Sequence, residues 1–145
     1  FHALGMADLV DCPDPVFKTT LDNVENLGRG GFTGNSEDNY KFKVPQLYNL
    51  KDSPFYGHGS SFNSIIDVMI YKNTAEKENT RVPESALSPL FKPLNLSDQE
   101  LEAITAFIED GLYDPNLSRY APQELPSGNC FPNADLLSQQ ALGCL

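Results

Sequence analysis

The chain has 145 residues, a net charge of −10 and a sequence pI near 4.4, the size of one ordinary domain. A polyanion of this size repels nucleic acid and acidic membranes, and no stretch approaches the roughly 18 apolar residues of a membrane helix. Neither partner is expected; the acidity suits a basic one, such as a small basic electron-donor protein. Eleven Pro and ten Gly beside nine Phe and six Tyr point to a modest core and much loop. The chain opens on Phe1 with no signal peptide in view, which reads as a processed or partial polypeptide.

Residues 1–40 read as irregular, with a breaker cluster at Asp11-Cys12-Pro13-Asp14-Pro15 and a glycine loop at Gly28-Arg29-Gly30-Gly31-Phe32-Thr33-Gly34. Asp8, Asp11 and Asp14 lack the D-x-D-x-D-G order of a Ca²⁺ loop and read as a solvated acidic run. The glycine loop lacks the Gly-Lys-Ser/Thr of a P-loop and any preceding strand, so it reads as structural. Residues 41–60 form a second loop, aromatic and proline-bounded, with a helical turn expected at 46–50. Its apolar content predicts packing against a core or a ligand. Gly57-His58-Gly59-Ser60 is no nucleophile elbow, and two histidines are too few for a recognisable zinc site.

A helix is predicted over 61–72, where Phe62, Ile65, Ile66 and Met69 share one face; Val68 and Ile70 flank it, so burial on more than one side is expected. Residues 73–81 read as a flexible polar loop. The second helix, 97–112, has the best local signal. Ser97 and Glu100 make a capping box, Leu96 and Leu101 a hydrophobic staple, and Leu101, Ile104, Phe107 and Ile108 an apolar stripe. Gly111 and Pro115 supply the stop. Asn95-Leu96-Ser97 and Asn116-Leu117-Ser118 match the glycosylation pattern, which is common by chance.

Residues 113–145 read as a tail with a short helix at 134–141. A Cys130–Cys144 bridge would close a short loop there, worth about 3 kcal/mol in the chain-entropy model, and would imply an oxidising compartment; two free thiols are the other reading. Cys12 is left over, to pair with a segment outside the chain. No long strand pattern and no repeat are present. The expected fold is mainly α with long irregular loops, divided into a domain over 1–112 and the tail over 113–145.

Four stretches, taken in order, resemble one family. Phe1-His2-Ala3-Leu4-Gly5 is similar to the F-H-N-x-G segment of bacterial di-haem cytochrome c peroxidases. Phe42-Lys43-Val44-Pro45-Gln46-Leu47-Tyr48-Asn49-Leu50 resembles their F-K-x-P-x-L-R-N-V, and Ser53-Pro54-Phe55-Tyr56-Gly57-His58-Gly59-Ser60 their A-P-Y-F-H-D-G-S. Leu94-Asn95-Leu96-Ser97-Asp98-Gln99-Glu100 is similar to the start of their closing helix. Each motif alone is weak; the ordered set, spanning 1–112, is more specific.

The resemblance implies a cytochrome c-like helical domain in a periplasmic or secreted oxidoreductase that reduces hydrogen peroxide. This chain would pack the distal side of the electron-transfer haem. No C-x-x-C-H occurs in it, so haem c would be attached to an upstream segment, and the 145 residues alone would not be an enzyme. Met69 is the favoured axial ligand, with Tyr71 and Lys72 as alternatives, and His2, Lys43, Pro45, Tyr56 and His58 would line the pocket. Carbonyls of Asp52 and Pro54 would bind Ca²⁺. Tyr48 stands where the family has Arg, and Gly57 where it has His, so His58 is displaced by one. A haem-free binding or scaffold module retaining the helical shell is the alternative.

Overall fold

A computed structural model describes residues 1–11 and 19–116. One compact unit spans Phe1–Asp114; of the second, Pro115–Leu145, only the first two residues are described. Cys12, the Cys130–Cys144 pairing and the helix expected at 134–141 lie outside the described residues.

The fold is mainly helical, and among the described residues the strand-like features are three isolated bridges. Helix α1 is Arg29–Thr33, α2 is Ile65–Thr74 and α3 is Asp98–Ala106; single 3-10 turns fill much of the rest. The glycine loop read as irregular therefore contains a short helix. The helical turn expected at 46–50 instead lies at Leu50–Asp52.

The N-terminal segment threads the centre of the unit. His2 exchanges backbone hydrogen bonds with Phe42 at 2.9 and 3.0 Å. The Ala3 carbonyl accepts from the Ser88 amide, and that of Gly5 from the amides of Glu78 and Asn79. Gly5 has φ +70°, and a Cβ there would lie 2.5 Å from that of Lys77, so only glycine fits.

Helix α2 begins at Ile65 because Ser64 caps it, its hydroxyl accepting from the Asp67 amide. The apolar period that extends the prediction back to 61 has another cause. Phe62 is extended and bridges Tyr56, with amide–carbonyl distances of 2.9 and 3.2 Å. Ile65 and Tyr71 are buried, Ile66, Val68 and Met69 half-buried, and Ile70 is 46% exposed, so the helix is not buried all round.

Helix α3 starts where the capping box places it: Ser97 Oγ accepts from the Glu100 amide, and the Glu100 carboxylate from the Ser97 amide. It continues as a π-turn, Phe107–Gly111, closed by the Leu112 amide on the Phe107 carbonyl at 3.0 Å. Leu101 and Ile108 are buried, and α3 packs against α2. The Tyr71 ring lies 5.0 Å from Phe62 and 5.2 Å from Phe91. Each such ring or aliphatic side chain stabilises by roughly 1.5–3 kcal/mol when taken from water.

Candidate functional site

Two features stand out, and Arg81 belongs to both. The first is a buried polar cluster. Asp8, only 3% exposed, accepts from Arg81 Nη1 at 2.7 Å and from Asn79 Nδ2 at 2.9 Å. Asn26, 1% exposed, donates through Nδ2 to the Thr20 carbonyl; its Oδ1 accepts from the Leu9 amide at 2.9 Å and faces His58 Nε2 at 3.2 Å. Because that oxygen can only accept, His58 Nε2 carries the proton. The His58 ring also stacks on Phe42 at 4.2 Å between centroids. Burial pushes the His58 pKa below its ordinary 6.5, against a smaller upward pull from the charge of Asp8.

The solvated reading of Asp8 is thus overturned. A carboxylate this deep needs paired donors, which Arg81 and Asn79 supply. The flexible reading of 73–81 is corrected with it, because Asn79 is buried and the backbone at 78–79 is fixed on Gly5. Nothing in hydrophobic period or motif marks Asn26, Asn79 or Ser88; their partners lie far off in sequence. The single available signal was Asp8 itself, an acid in an otherwise apolar opening run.

The second feature is an open cavity of about 770 Å³ beside Phe1 and His2, walled further by Tyr40, Lys41, Arg81 and the 83–89 loop. His2 Nδ1 lies 2.9 Å from Ser88 Oγ, which also accepts from the Leu90 amide. Lys41 and Arg29 share Asp38, at 3.7 and 3.1 Å. Burial opposes it, but hydrogen bonds from Arg29 and Thr33 and the two cations hold the Asp38 carboxyl below its usual range.

The predicted site residues do not line one cavity. His2 lines the one just described; Met69, Lys43, Pro45, Tyr56 and His58 do not. Lys43 and Pro45 are exposed, and Val44 and Tyr48 are 62% and 64% exposed, so that stretch is not packed against the chain's own core. The Tyr56 hydroxyl donates to the Leu50 carbonyl at 2.6 Å. Met69 is half-buried on α2. Tyr71 is buried with its hydroxyl on the Leu4 carbonyl, and burial raises its pKa well above the usual phenol range. Burial lowers that of Lys72. Asp52 and Pro54 are exposed, and among the described residues no group of three or more His, Cys, Asp or Glu side chains could hold a metal.

A porphyrin asks for a soft or nitrogen axial donor and two apolar walls. The Met69 thioether is a donor of the right class, half-buried on α2. Among them, no helix is long and apolar enough to cross a membrane. Compared with protein-family models, curated proteins and solved structures, the chain has no significant match.

Proposed function

We propose that this chain supplies one wall of an electron-transfer haem site in a periplasmic or secreted oxidoreductase of the di-haem cytochrome c peroxidase type, with the haem carried by an upstream segment. The observation that carries this reading is a convergence at Phe42. Three stretches singled out by the resemblance meet there: His2 pairs with its backbone, and His58 stacks on its ring. Separate chance matches give no reason for such a meeting.

In this reading the half-buried Met69 offers its thioether as axial donor, which raises a haem's reduction potential. Tyr71 is the weaker candidate, because its hydroxyl is protonated and engaged by Leu4. The carbonyls of Asp52 and Pro54 would serve a Ca²⁺ ion, a hard cation suited to oxygen donors. The acidic surface would dock a basic electron donor. A haem held there would supply one-electron redox chemistry, the peroxide-reducing haem lying outside this chain.

The test uses the longer polypeptide matured with haem. It should show a Soret band, and Met69→Ala should remove the thioether–iron charge-transfer absorption and lower the reduction potential. A coloured protein whose spectrum and potential ignore Met69→Ala but change with Tyr71→Phe would reassign the ligand. A colourless protein would overturn the reading.

One observation favours a second reading, a haem-free binding or scaffold module. The buried Tyr71 on α2 packs against the chain's own rings, between Phe62 and Phe91. The same visible spectrum separates the two.

A further inference from the structure

We draw no further inference here: the strongest candidate, the exposed apolar surface patch of Val44, Leu47 and Tyr48 on the loop between the anchored Phe42 and Asn49, carries no proposal because nothing in the structure shows what covers it.

Discussion

Arg81 and Asp8 stand 73 residues apart in sequence and meet with Nη1 2.7 Å from Oδ2. The pair is asymmetric, its side chains 33% and 4% exposed respectively, so water reaches the cation but not the acid. Arg81→Met would strand a buried carboxylate with Asn79 as its remaining charge-directed donor. Removing one partner of a fully buried pair costs roughly 3–5 kcal/mol; the partial exposure of Arg81 reduces the expected loss to about 2 kcal/mol. Urea unfolding of the two proteins measures it, and Arg81→Lys should recover part of the difference.

His58 makes stability depend on pH. Its folded pKa lies below the ordinary 6.5 because burial disfavours the imidazolium. Above that value folded and unfolded chains both hold it neutral, and the full contribution is present. As pH falls below it the unfolded chain takes up the proton first, so stability declines until the folded pKa is passed. Between about pH 7 and about pH 5, His58→Gln should lose stability less steeply than the wild type, because one proton-uptake difference has been removed. Parallel slopes for the two proteins would count against a neutral, buried His58.

Gly30 is a packing requirement. A Cβ there would lie 2.7 Å from the amide nitrogen and Cα of Asn39, backbone atoms that cannot yield cheaply. Gly30→Ala should cost about 2 kcal/mol, the scale of overpacking a tight contact. It should also disturb the amide resonances of Tyr40 and Lys41, whose positions depend on that approach. A variant as stable as the parent, with those resonances in place, would mean that α1 can move away from the 36–41 loop freely.

Ser97→Ala removes the cap of α3 and should lower stability by about 1 kcal/mol. Hydrogen bonds from the Ser97 backbone and side chain hold the Glu100 carboxyl below its usual range. That contribution is complete above the unfolded pKa of Glu100 and is lost as pH falls through the folded one. Thermal melts at neutral and acid pH should therefore show a smaller penalty for Ser97→Ala in acid.

The contrast between the two longer helices explains what could be read in advance. The start of α3 was legible because the groups that fix it, Ser97 and Glu100, are three residues apart and their chemistry is local. The start of α2 is fixed just as locally, by Ser64 and Asp67, yet the apolar period ran past it. Phe62 is apolar because it is buried in an extended pairing with Tyr56, and hydrophobicity alone does not separate that from a helix face. The polar cluster was illegible for a different reason. Asp8, Asn26, His58 and Arg81 acquire meaning only from partners that the fold brings near, and Asp8 taken alone looks like any surface acid. The cavity lay equally out of reach, since its walls come from residues near 1, 40 and 81–89.

The threading of the first residues through the centre of the unit has a consequence for how the protein is made. Leu4 receives the Tyr71 hydroxyl across 67 positions, and His2 meets Ser88 across 86. Contacts this distant must close large loops before they return any stability, which slows folding relative to helical proteins built from neighbours. During synthesis the carbonyls of Ala3, Leu4 and Gly5 stay hydrated until the residues that meet them, Tyr71 through Ser88, have emerged; premature release would free a chain whose central thread has little to hold it.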